Sequence, residues 1–136
     1  SVAAAGIALA LPTTASPSAQ PVADAIDGVA SSPNEARDSV DVPADELRLR
    51  PESVALRDES GTSHARLTYG PVTPVGDGKL GRVLDGERPP AVFADKSRFA
   101  TAIRVAHNRT GTWQEAPDEL TVARVQWGDV DATLVG

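Results

Sequence analysis

The stretch Phe99-Ala100-Thr101-Ala102-Ile103-Arg104-Val105-Ala106-His107 decides how the rest of this chain is read. Phe99, Thr101, Ile103, Val105 and His107 alternate with Ala100, Ala102, Arg104 and Ala106, and this period of two predicts a β-strand over 99–107 with one apolar face. Asn108-Arg109-Thr110-Gly111 then reads as a type I turn, with Asn first and Gly fourth. Thr112–Glu115 is expected to return beside the strand and lay Trp113 on the sheet. Pro117-Asp118 turns the chain again into Leu120–Trp127, rich in Val, Thr and Trp, and Asp129–Val135 reads as one more edge strand.

Upstream, Ser53–Arg57 and His64–Tyr69 flank a run of turn formers, Asp58 to Ser63, and predict a β-hairpin. Val54 and Leu56 share one face of its first strand, and Ala65, Leu67 and Tyr69 one face of its second. A second hairpin is expected from Val72–Val75 and Lys79–Leu84 around Gly76-Asp77-Gly78, with Pro74 marking an edge because proline has no N–H to give the ladder. Ala91–Arg98 is compatible with a helical turn. Short strands separated by Gly, Pro and Asp turns predict a mostly β body, a small antiparallel sandwich or partial barrel. Its expected core is Phe99, Ile103, Val105, Val122, Val125 and Trp127. Val125 and Trp127 face away from Val122, so both faces of that strand require cover.

The chain changes character near residue 45. Residues 1–45 hold six acids against the single base Arg37 and no aromatic residue, whereas the remainder holds 13 acids, 12 bases and all five aromatics. Of the net charge of −6, five units therefore come from the first third. Val2–Leu11 is an uncharged apolar run ended by Pro12, with small residues at Thr13-Thr14-Ala15. It has the length of an export-signal core and is too short to cross a bilayer. No initiator Met or basic segment precedes it, so residues 1–15 read as the remnant of an export signal. Residues 16–45, rich in Pro, Ser and Asp, read as a disordered acidic linker or pro-segment with at most a transient turn through Val22, Ile26 and Val29. Residues 46–136 are the expected β-rich domain.

The composition narrows the chemistry. With no cysteine there is no disulfide and no thiolate metal site. The near-neutral body and acidic first third argue against a nucleic-acid partner and against an anionic membrane surface, and no stable membrane insertion is expected once the leader is removed. His64 and His107 are the only histidines and have no partner at metal-ligand spacing, and Asp129 and Asp131 read as solvated charges of an edge strand. The sequence calls for no cofactor and no metal.

Ala106-His107, followed by Ala123-Arg124-Val125-Gln126-Trp127 and Asp131-Ala132-Thr133-Leu134-Val135, resembles the N-terminal half of a trypsin-like serine protease, as does Arg82-Val83-Leu84-Asp85-Gly86 as a mature start. The resemblance covers residues 82–135. It implies a β-barrel half in which His107 is the general base and Asp131 its orienter. There is no Gly-Asp-Ser-Gly nucleophile motif and no cysteine beside the histidine, so the implied product is a truncated, inactive half. The reading preferred over it is an exported, non-enzymatic binding or structural module of the bacterial cell envelope or secreted space, with a protein or cell-wall partner. A pro-segment or inhibitor of a secreted hydrolase is the third alternative.

Overall fold

The computed structural model describes residues 17–76, 78–108 and 111–136. In chain order the elements are α1 (Gln20–Ala30), β1 (Ala36–Asp41), β2 (Glu46–Arg50), β3 (Ser53–Asp58), β4 (Gly61–Arg66), β5 (Thr73–Pro74), α2 (Lys79–Leu84), α3 (Pro89–Val92), α4 (Lys96–Asn108), β6 (Gln114–Glu115), β7 (Glu119–Trp127) and β8 (Val130–Val135). The protein is mostly β and sandwich-like. The strands form two four-stranded sheets, ordered β1-β7-β8-β5 and β4-β3-β2-β6, antiparallel throughout except where β5 runs parallel to β8.

The hairpin predicted from Ser53 is present as β3 and β4, in register from Ser53↔Arg66 to Asp58↔Gly61, but its second strand is Gly61–Arg66 rather than His64–Tyr69. The expected long loop is a tight turn at Glu59-Ser60, and Tyr69 lies beyond the strand, exposed. The β7 strand is also where the sequence placed it, and it turns tightly through Gly128, whose φ of 64° suits glycine, into β8. Pro74 lies in the outermost strand of its sheet, as its missing N–H requires. β8 is not an edge: it sits between β7 and β5. Trp113 reaches a sheet, but through β6 paired to β2.

Two expected strands are helices. Residues 96–108 form α4, because Phe99, Ala102, Ile103 and Ala106 lie at helical spacing on one face and pack together, while Val105, expected in the core, is 42% exposed. Asp95 caps this helix, its Oδ1 accepting the Arg98 N–H at 2.9 Å. Likewise Leu80, Val83 and Leu84 in α2 repeat at helical spacing and are buried, so Lys79–Leu84 does not return as the arm of a second hairpin. The intervening Asp77, and Arg109-Thr110 of the expected type I turn, lie outside the described residues.

The assignment of 16–45 as a disordered linker is corrected for its described part. Pro21 at the first turn starts α1, and Val22, Ala23, Ile26 and Val29 form a buried stripe. The stripe packs with Leu47, Leu49, Val54, Leu56 and Ala65 of the second sheet and Leu120, Val122 and Val135 of the first, so α1 is set into the core the two sheets share. The Asp27 carboxylate accepts the Thr68 and Tyr69 N–H groups at 3.0 Å each, and the Ala19 N–H donates to Ser63 Oγ at 2.9 Å. β1 then joins β7 over six residue pairs. Scarcity of aromatics hid this because the stripe is built from Val, Ala and Ile. The leader-like residues 1–15 lie outside the described residues.

A second cluster covers the other face of the first sheet. Ala123, Val125, Ala132 and Leu134 meet Leu80, Val83 and Leu84 of α2, Phe93, and Phe99 and Ala106 of α4. The Phe99 ring lies 5.4 Å from that of Phe93 and 6.1 Å from that of Trp127. Val122 and Val125 thus face opposite covered sides, as the sequence required, and the cover on one side is helical.

Candidate functional site: an arginine-rich sheet face

β2 reads Glu46-Leu47-Arg48-Leu49-Arg50, and only its leucines enter the core. Its outward residues fall in register with those of β3 and β4. Three rows cross the sheet: Arg50–Ser53–Arg66, Arg48–Ala55–His64 and Glu46–Arg57–Thr62. Rows on one strand face are about 7 Å apart and neighbouring strands about 4.8 Å, so four arginines and a histidine share one small surface. On a chain of net charge −6 this gathers four cationic side chains on one face of one sheet.

The face is acidic at one corner and basic at the other. Glu115 of β6 stands opposite Glu46, a like-charge pair that Arg57 relieves from the other side, with its Nε 2.8 Å from Glu46 Oε1. Trp113 organises the middle: the Arg57 guanidinium carbon lies 4.1 Å and that of Arg48 4.8 Å from its ring centre. Ala55, between Arg48 and His64, is only 3% exposed although it belongs to neither core, because these larger neighbours cover it. At the basic end Arg50 and Arg66 are exposed and, among the described residues, their side chains have no ion-pair or hydrogen-bond partner. They border an open recess of about 400 Å³ with Pro51, Ser53 and Glu52, whose carboxylate is the acidic group in its lining. Gly111, at φ 102°, brings the chain past the Arg50 side chain.

The residues singled out from the sequence lie elsewhere. His107 is on α4, with Nε2 2.9 Å from the hydroxyl of buried Thr73. Asp131 is on β8, gripped by Arg124, whose Nε lies 3.1 Å from Asp131 Oδ1 and whose hydrogen bond holds the carboxyl below its ordinary range. Thr73 is in register with Leu134, three strand positions from Asp131, about 10 Å along β8. The described contacts therefore give His107 and Asp131 different partners. Asp129 meets Lys96 at 3.2 Å, which lowers its carboxyl, rather than sharing a site with Asp131. Among the described residues no three His, Asp or Glu side chains converge as a metal site would need.

A larger cleft, about 580 Å³, opens where β1 begins beside β7, between Ala123, Val125 and Trp127 and the segment Gly86–Pro90. Its charged groups are largely spent on structure. Arg37 donates to the Leu84 and Val83 carbonyls at the end of α2, Glu35 accepts the Gln126 N–H at 3.3 Å, and Glu87 is held by Arg82 at 2.7 Å. The arginine face differs in gathering its uncommitted cations, Arg50 and Arg66, in one row across a single sheet. Summed charge concealed it, since its acids and bases cancel in the count, but the strict alternation of residues 46–50 carried the signal.

No curated protein and no solved structure matches the chain. The model of the family described as "Family of unknown function (DUF7283)" matches residues 1–125, and the chain belongs to that family.

Proposed function

We propose that this protein is an exported, non-enzymatic binding or structural module of the cell envelope or secreted space, and that it engages its partner through the outer face of the second sheet. The carrying observation is the in-register set Arg48, Arg50, His64 and Arg66, presented to solvent by a sheet whose other face is fully used in the core. Arginine forks suit carboxylate and phosphate groups, and a rigid sheet fixes their spacing. The export part rests on the apolar run Val2–Leu11 with its Pro12 and small-residue boundary.

Mass analysis of the protein recovered from the culture medium or envelope of the cells that naturally produce it tests that part. The expected product begins just after Ala15. A cytosolic, uncut protein contradicts export, and peptide or ester turnover abolished by His107→Ala contradicts the non-enzymatic reading.

A further inference from the structure

We infer that the arginine face takes an extended acidic peptide segment, which adds as a strand to the open edge of β4 and lays its carboxylates beside His64 and Arg66, with Arg48 and Arg50 two strands inward adding to the positive field it enters. This deepens the binding-module reading and rests on it.

β4 is the outermost strand of its sheet, and among the described residues no strand pairs with its outer side. The Leu67 N–H donates to the Glu52 carbonyl at 2.9 Å, pointing toward β3. Backbone groups alternate in direction along a strand, so those of Ala65 and Ser63 also point toward β3, and those of Thr62, His64 and Arg66 point to the open side. The same three residues carry their side chains on the outer face. A strand laid along this edge gains main-chain hydrogen bonds at the positions where its alternate side chains stand opposite Thr62, His64 and Arg66. Asp or Glu at every second residue would repeat about every 7 Å, the spacing of the rows themselves.

Charged side chains on an edge strand also guard against unwanted pairing. That role accounts for His64 and Arg66; Arg48 and Arg50 stand two strands inward on β2, whose far side β6 pairs only at Glu46 and Leu47, and they fall in register with His64 and Arg66 on the same outer face. Guarding the β4 edge does not require Trp113 to hold Arg48 in place. A polyanion without a peptide backbone would use the charges and leave the edge idle, so the two features together favour a polypeptide. Charge complementarity fixes its sign.

The test uses the intact chain and three probes of about ten units: a peptide of alternating Glu and Thr, the same peptide N-methylated at every second amide, and an oligothymidylate. The Glu–Thr peptide is expected to bind and to release as salt is raised. Its affinity falls about tenfold in Arg66→Glu and by a smaller factor in the more distant Arg50→Glu, both exposed positions. N-methylation on the ladder side abolishes binding. Failure of the Glu–Thr peptide to bind overturns the inference. So does binding of the N-methylated peptide and the oligothymidylate as tight as that of the parent peptide, which would make the face a general polyanion surface. A homodimer that dissociates on Arg66→Glu also overturns it, since a second copy would then be the occupant. Peptide binding by an uncut cytosolic protein would contradict export alone, and export without peptide binding would contradict this inference alone.

Discussion

In the second sheet Leu47, Leu49, Val54, Leu56 and Ala65 enter the core while Arg48, Arg50, Arg57, His64 and Arg66 turn to water; in the first sheet both alternating sets of β7 are covered, Leu120 and Val122 by α1 and the opposing sheet, Ala123 and Val125 by α2 and α4. A sheet with one wet face writes its orientation into the sequence as apolar–polar alternation, and its wet face is available for binding. A sheet covered on both sides reads as a nearly continuous apolar run and has no face to offer. The difference is why the proposed binding role falls on β2–β4, whereas β7 and β8 are given over to the core.

The comparison breaks most visibly if the helical cover of the first sheet is dispensable. Phe99 is fully buried between Phe93 and Trp127, and Phe99→Ala is expected to cost about 3–5 kcal/mol in urea unfolding, a large share of the stability of a domain this small. A midpoint near that of the unmodified protein would mean that the helices do not close this sheet. On the shared side, Ile26→Ala is expected to cost about 2–5 kcal/mol, and limited proteolysis should spare Gln20–Ala30. Ready cleavage there would restore residues 17–45 to the status of a linker.

Smaller effects belong to the surface pairs. Hydrogen bonds from Arg124, Lys96 and Arg82 lower the carboxyls of Asp131, Asp129 and Glu87. A carboxyl lowered by folding stabilises above its unfolded pKa and loses that contribution as pH falls through the folded value. The loss therefore falls below about pH 4, and it is modest because these groups are exposed. Thermal midpoints followed from pH 6 to pH 3 should decline less in Asp131→Asn than in the unmodified protein; equal declines would show that the Arg124 pair contributes nothing. Smallest of all, Val105→Ala on the outward side of α4 should change stability by no more than about 0.5 kcal/mol, and a loss of core magnitude would return residues 99–107 to a strand.

That last stretch shows why part of the fold escaped the sequence. Alanine fits either period: Ala100, Ala102 and Ala106 filled the second face of an apparent strand, yet Phe99, Ala102, Ile103 and Ala106 serve equally as a helical stripe. Asp95, three residues before the Arg98 amide it caps, was the local sign of a helix start. The β3–β4 hairpin and β7 were legible because Val, Leu and turn residues leave no such ambiguity. α1 was not, because a short apolar stripe is marginal alone and acquires its order from the two sheets that enclose it. The arginine face was half legible: residues 46–50 alternate strictly, but only the pairing of three strands gathers Arg50, Arg66, Arg48 and His64 onto one surface.

The division of labour between the sheets is tested most directly by thermal unfolding of the double variant Arg50→Ala, Arg66→Ala, with and without the Glu–Thr peptide. Exposed side chains without ion-pair partners contribute little to folding, so the variant alone should melt close to the unmodified protein, and the rise in Tm that the peptide gives the unmodified protein should vanish. A variant that melts far lower on its own, or that keeps the peptide-induced rise, would contradict the assignment of this face to binding.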